Sequence, residues 1–329
     1  MMIDPDSYPY LDPSKDRRVA LITGGNSGVG YYTVLHLYLH GYIIYIAGRS
    51  KSRVTKLIIE LNETATLIRL EYLEQDLKTR FLGELHFLEI DLIKLKSVQQ
   101  AVSQFRLLED KLHILINNAG VMGLAYELTE DKFEIKLQTN YISPFLLTTS
   151  LLPLLDKAFT IETPPRIIHL SSLGHKFAPK YFSMDSKLNF RPNFIFTWLR
   201  YAKAKIAGIH FMKMLALRNP QILSMSVHPG LVMNTNLFTY WTRLPIIGIV
   251  FWILFQIFGY FFGITPEQGA NAVIKCCLDP NLTLEACNGK YFAKGELSEP
   301  TKVANDMDYA ARTWIWTVRE LALRGFTIP

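Results

Sequence analysis

The chain has 329 residues, 49% of them hydrophobic, so it can bury one large core and suits a single α/β domain better than two small ones. Its formal charge is +6, but Lys and Arg are spread along the sequence instead of gathered with aromatics, which argues against a dedicated nucleic-acid binder. The three cysteines, Cys276, Cys277 and Cys287, form no CxxC pair and have no matching histidine spacing, which argues against a disulfide framework and structural zinc.

Residues 1–17 are polar, with Asp4, Asp12, Lys15, Asp16 and three prolines; they read as an N-terminal tail without the apolar centre of a secretory signal. Residues 18–22 are a short apolar run ending at glycines, the pattern of a buried parallel strand feeding a tight turn. A helix is expected from there to His40, closed by Gly41. Residues 42–47 form the next strand, after which Val54, Leu57, Ile58 and Leu61 recur at helical spacing. Residues 62–84 are long for a connection and read as a helical surface elaboration. Further strands are expected at 85–90, 113–116, 166–170, 223–227 and 289–292, each reached through a crossover. Repeated βαβ order predicts an α/β, doubly wound parallel sheet, a Rossmann fold with helices on both faces, in one domain over 18–329.

In Thr23-Gly24-Gly25-Asn26-Ser27-Gly28-Val29-Gly30, the glycines at 24, 28 and 30 let the backbone approach a pyrophosphate, and the next helix offers free N–H groups and its positive end. Asp91-Leu92, Asn117-Asn118-Ala119-Gly120, Ser171-Ser172 and Pro229-Gly230 follow at the carboxyl ends of successive strands, where open sheets bind ligands. Tyr201 and Lys205 lie four apart on one helix face, placing an ammonium beside a phenol and favouring its ionised form. Lys203 faces elsewhere and reads as a surface charge. His169, His175 and His228 flank strand ends and read as pocket walls or core residues. This set resembles the short-chain dehydrogenase/reductase family over residues 18–292. The stretch 168–175 and Thr265-Pro266-Glu267-Gln268-Gly269-Ala270 are similar to its retinol-dehydrogenase-like branch, which includes oxidoreductases of fungal lipid droplets.

The resemblance implies that Tyr201 is the general acid or base, that Ser172 orients a carbonyl oxygen, and that Lys205 binds the nicotinamide ribose while lowering the tyrosine pKa. It also implies that Asn140, in Gln138-Thr139-Asn140-Tyr141, holds a relay water beside Lys205. Cofactor contacts are implied for Gly24, Asn26, Ser27, Gly28, Val29 and Gly30 in the first turn, and for Asp91 and Leu92, with Asp91 toward adenine. Asn118, Ala119 and Gly120, then Tyr201 and Lys205, then Pro229, Gly230, Val232 and Thr235 complete that set. The branch usually places Thr five residues past this proline, whereas here Asn234 holds that position and Thr235 follows. The chemistry is consistent, because a free phenol titrates near pH ~10 and needs a cation and hydrogen bonds to act at neutral pH. Just after the second strand, Arg49 offers a planar fork to a phosphate with no acid competing, so NADP(H) is favoured over NAD(H). No metal is called for.

Residues 244–264 read LPIIGIVFWILFQIFGYFFGI, without a charge. As a helix this run would be roughly 30 Å long, the thickness of a bilayer core. It lies between two strands of one sheet, so the insert, about 236–264, must enter and return, dipping into lipid as a hairpin or in-plane helices; a hydrophobic lid is the alternative. The positive net charge suits an anionic lipid surface. The combined expectation is an NADP(H)-dependent alcohol dehydrogenase or carbonyl reductase for a lipophilic substrate such as a retinoid, sterol or long-chain aldehyde. It would sit monotopically on lipid droplets or the endoplasmic reticulum, facing the cytosol, with a homodimer as a further expectation. A nucleotide-binding scaffold that no longer turns over is the competing reading, opposed by the intact Ser172, Tyr201 and Lys205; an integral membrane protein is a third.

Overall fold

The structure, a computed structural model, describes residues 3–177, 181–190, 193–232 and 263–328. Seven parallel strands and one antiparallel edge strand form a single sheet, in the order β3-β2-β1-β4-β5-β6-β7-β8. They are β1 Val19–Thr23, β2 Ile43–Gly48, β3 Glu84–Glu89, β4 Ile114–Asn117, β5 Arg166–Leu170, β6 Leu223–His228, β7 Tyr291–Ala293 and β8 Glu296–Ser298. The order reverses at β1, which pairs with β2 on one side and β4 on the other, leaving a crevice above the carboxyl ends of β1 and β4. Alternate residues serve opposite cores. Leu21, Tyr45, Leu115 and Ile167 face one, Ile22, Ile46, Ile116 and Ile168 the other, which is why the central strands are apolar throughout.

The helices α1 Val29–Leu39, α2 Lys51–Leu70 and α6 Pro266–Leu278 cover one face. On the other lie α3 Leu95–Leu108, α4 Ser143–Asp156, α5 Asn193–Arg218 and α7 Met307–Ala322. A π-helical turn, Gln138–Ile142, leads directly into α4. The predicted elaboration over 62–84 is the far end of α2 followed by a short helix, Glu74–Leu77. The sequence reading did not foresee β8. Its hairpin turns at Lys294 and Gly295, both with positive φ (53° and 82°), and a Lys-Gly pair is a weaker turn signal than Asn-Gly.

The polar opening, read as a tail, packs onto this body. Leu11 N donates to His40 O at 3.1 Å, the Tyr10 and His40 rings stack at 4.2 Å, and both Arg17 Nη atoms reach the buried Glu109 carboxylate at 2.5 and 2.8 Å. At the other end of the fold, Val232 forms a parallel bridge with Ile264, whose N–H donates to Leu231 O at 2.9 Å. The chain therefore leaves and rejoins the sheet at one place. Residues 233–262, with Asn234, Thr235 and nearly all of the apolar run expected to meet lipid, lie outside the described residues. Among the described residues, no helix is long and apolar enough to cross a membrane.

Candidate active site

The turn after β1 is shaped by what a side chain would strike. Gly24 has φ +67°, and a Cβ there would stand 2.8 Å from Ala119 Cα. A Cβ at Gly30 would collide with Gly24 O and, at 2.6 Å, with Asn118 Nδ2. That amide nitrogen donates to Thr23 O and Gly24 O at 3.0 and 2.8 Å, and Ala119 N donates to Thr23 Oγ1 at 3.1 Å, so the segment after β4 clamps the turn. Gly28, φ +58°, caps α1 without a side-chain hydrogen bond, which leaves the first amides of the helix to another acceptor. Asn26 and Ser27 are exposed beside it.

Around this turn the other expected residues gather at the carboxyl ends of the strands. Asp91 N donates to Ser97 Oγ at 2.9 Å, while Leu92 is buried and its carbonyl accepts from Ser143 Oγ at 2.6 Å. Val232 lies close to α6, since a Cβ at Gly269 would stand 2.7 Å from its Cγ2, 3.1 Å from Val29 Cγ2 and 3.6 Å from Pro229 Cβ. Gly230, φ +115°, has no room for a side chain against Ile264. Arg49 is exposed immediately after β2.

The second half of the site stands on α5. Tyr201 and Lys205 are buried one turn apart, with Lys205 Nζ 5.5 Å from the centre of the Tyr201 ring and donating to Leu170 O at 2.6 Å. Ser172, just past β5, accepts from Gly174 N at 3.1 Å and acts on the Tyr201 phenol so as to favour its ionised form. Asn140 is held at both ends by Val121, accepting from its N–H and donating to its carbonyl, each at 2.8 Å. A Cβ at Gly120 would lie 3.1 Å from Asn140 Oδ1 and 3.7 Å from Lys205 Nζ, so these three positions converge.

Burial dominates the electrostatics of this pair. Burial pushes the Tyr201 phenol up to about 12, with the Ser172 hydrogen bond pulling the other way, and burial pushes Lys205 down to about 8. The Lys205 ammonium is engaged by Leu170 O at 2.6 Å, and the rise at Tyr201 comes from burial of the phenol itself. A phenol held in its protonated form is a proton donor.

Comparison with known proteins settles the family. The model for short chain dehydrogenases matches residues 18–184. The short-chain dehydrogenase/reductase drtF of Aspergillus calidoustus is 34% identical, with 97% of this chain and 98% of that protein covered. This chain belongs to the short-chain dehydrogenase/reductase family. Like other members it is an oxidoreductase. Retinol dehydrogenase 11 of Mus musculus is 31% identical over 90% of this chain and 84% of its own length, and the polyprenol dehydrogenase of Homo sapiens 28% over 93% and 85%. Among solved structures, a protein of uncharacterised function from Mycobacterium paratuberculosis is similar in fold, with a TM-score of 0.67, 23% identity and full coverage of both chains. The L-sorbose reductase of Gluconobacter frateurii, solved with NADPH and L-sorbose, has a TM-score of 0.61 at 18% identity, covering 84% of this chain and 95% of that one.

In this short-chain dehydrogenase, two features escaped the sequence reading. Gly174 lies against the Tyr201 ring, where a Cβ would approach Cε1 to 2.5 Å, and it ties Ser172 in place through its N–H. The signal was a glycine two residues past Ser172. Lys203 is not a surface charge: it is buried and donates to Met184 O and Ser186 O at 2.5 and 2.7 Å. The connection before α5 covers that side of the helix, which helical spacing from Tyr201 alone does not reveal. His169, His175 and His228 are buried at strand ends, and burial holds each below the ordinary histidine pKa.

Proposed function

We propose that this oxidoreductase uses NADP(H) to interconvert a lipophilic alcohol and its carbonyl at a lipid surface. The observation that carries the reading is the convergence of Ser172, Tyr201, Lys205 and Asn140 beside a glycine turn that excludes side chains. The fit to a dinucleotide rests on that turn: its glycines leave backbone exposed, and α1 presents uncapped amides to a pyrophosphate. When bound, the nicotinamide supplies or accepts hydride. In the reducing direction the protonated Tyr201 gives its proton to the carbonyl oxygen, and the Ser172 hydroxyl donates to the same oxygen as charge develops there. Beside them Lys205 is assigned to the ribose and Asn140 to a relay water. The relatives, retinol and polyprenol dehydrogenases, favour a long isoprenoid alcohol or aldehyde.

Cofactor choice is assigned to Arg49, which is exposed at the end of β2 with no Asp or Glu adjacent to it in Gly48-Arg49-Ser50-Lys51. Arg49→Asp is expected to lower the NADPH to NADH ratio of catalytic efficiencies by about tenfold or more, by repelling a 2′-phosphate and offering a ribose acceptor. Steady-state rates with each nucleotide check it. An unaltered ratio removes Arg49 from the assignment.

Lipid attachment is assigned to the apolar run at 244–264. Because its flanks, Val232 and Ile264, are bridged, both ends start from one side of the protein. Reporters at Thr242 and Thr265 are accordingly expected on the cytosolic face together, and polar replacements of Phe251, Trp252, Leu254 and Phe255 should move the protein from the lipid fraction to the soluble one. Reporters on opposite faces would defeat the re-entrant reading, and undiminished flotation would reduce the run to a lid. NADPH titration of the polar variant checks that the nucleotide half still folds.

A further inference from the structure

A buried charge cluster surrounds the first half of α5 and takes no part in the chemistry above. Lys136 is fully buried, Arg200 and Lys203 nearly so, and the carboxylate that touches two of them is Glu134, whose Oε1 lies 2.7 Å from Lys136 Nζ and 3.6 Å from Arg200 Nε, while the exposed Asp185 acts on Lys203 from the surface side. Three buried cations that outnumber the carboxylates beside them would be disfavoured inside a protein unless other acceptors took up their donors. Main-chain carbonyls do so. Lys136 Nζ donates to Leu124 O at 3.0 Å, Arg200 Nη1 to Leu188 O at 2.7 Å, and Lys203 Nζ bridges Met184 O and Ser186 O. Thr197, one turn before Tyr201, adds its hydroxyl to Met122 O and Leu124 O at 3.2 and 3.1 Å.

Every segment gripped in this way leads to a candidate catalytic residue. Residues 122–125 continue from Gly120 and Val121, which contact Asn140. Residues 184–188 lie in the connection from Ser172 to Tyr201. Glu134 precedes the π-helical turn that bears Asn140, and its Oε2 accepts from Lys136 N and Leu137 N at 3.0 Å each. On α5 itself, Thr197, Tyr201 and Lys205 share one stripe at i, i+4 spacing, while Arg200 and Lys203, three apart, share another. Apolar residues of similar size would fill the same volume without fixing the carbonyls in direction. We propose that Glu134, Lys136, Arg200 and Lys203 are positioning residues, a hub that ties the segments bearing Ser172 and Asn140 to the helix bearing Tyr201. The activity readout of this inference rests on the function proposed above.

Lys203→Met keeps the side-chain length and removes both donated bonds; Lys203→Arg restores donors to both carbonyls. With NADPH and all-trans-retinal as the carbonyl probe, Lys203→Met is expected to lose about tenfold or more in kcat, the scale of a small misplacement of reacting groups. NADPH affinity should stay within about twofold, and Lys203→Arg should recover to within about threefold of the parent kcat. A parent-like kcat in Lys203→Met overturns the hub, as does a loss shared with NADPH affinity and not recovered by Arg, the mark of a general fold defect. If Lys203→Met does not fold, Glu134→Gln carries the test, since its amide oxygen can still accept from Lys136 N and Leu137 N while the charge and the acceptor that face Lys136 Nζ and Arg200 Nε are lost; the same selective kcat loss is expected, and none overturns the proposal. Should the parent enzyme reduce no carbonyl probe, the functional reading falls, and backbone hydrogen exchange judges the hub alone. Faster exchange in Lys203→Met confined to residues 121–126 and 184–188, with β1 and β2 unchanged, supports it; a uniform change or none overturns it.

Discussion

Tyr201→Phe is expected to lower kcat by ~10²-fold or more while NADPH affinity stays nearly constant, because the phenol hydroxyl is the only part removed and a positioned proton donor contributes on that scale. The ring itself has a packing role. It lies against Gly174, so phenylalanine keeps the contact that seats Ser172 through the Gly174 N–H. What disappears is the group whose proton is retained well past neutral pH: burial raises the phenol to about 12, against the opposing hydrogen bond from Ser172. The stability cost of deleting one buried hydroxyl that has a single side-chain partner is about 1 kcal/mol, so the variant should fold and the comparison should be clean. Steady-state reduction of all-trans-retinal, with a parallel NADPH fluorescence titration, separates the two effects. Near-parent turnover would remove Tyr201 as the proton donor.

The sheet was legible because both of its faces are covered. Strands buried on two sides read as unbroken apolar runs, and the glycines, Asn118 and Ser172 fall where those runs end. Spacing along one helix likewise placed Lys205 beside Tyr201, a relation internal to a single element. What stayed hidden depends on contacts between elements. The burial of Lys203 is made by the 184–188 connection, and the rise of the Tyr201 pKa is made by everything packed around the phenol; neither leaves a local pattern. The same holds for the N-terminal residues, polar in composition yet held by His40 and Glu109 from distant parts of the sequence. Polar residues with distant partners look, in one dimension, like solvated surface.

Gly30→Ala should cost NADPH affinity about tenfold or more while leaving most of the sheet intact. Gly30 is the first turn of α1, and an added methyl there meets the Gly24 carbonyl and the Asn118 side-chain amide, the two groups that define the floor of the turn. Neither can yield cheaply. Gly24 is confined by its positive φ and by Ala119, and Asn118 Nδ2 already holds two carbonyls, so relief requires α1 to draw away from the turn or the Asn118 clamp to open. Overpacking of this kind typically costs 1–3 kcal/mol, and here the shift falls on the amides offered to a pyrophosphate. Gly25→Ala is the informative control: the nearest atoms to its Cβ would be the methyl groups of Val34, Ile22 and Ile46, at 3.0 to 3.2 Å, on the core side of the same turn. Its expected penalty is therefore in melting temperature more than in nucleotide affinity. Titration of NADPH into both variants, beside their thermal unfolding, tests the contrast, and parent-like affinity in Gly30→Ala would mean that the pyrophosphate is not held by this turn.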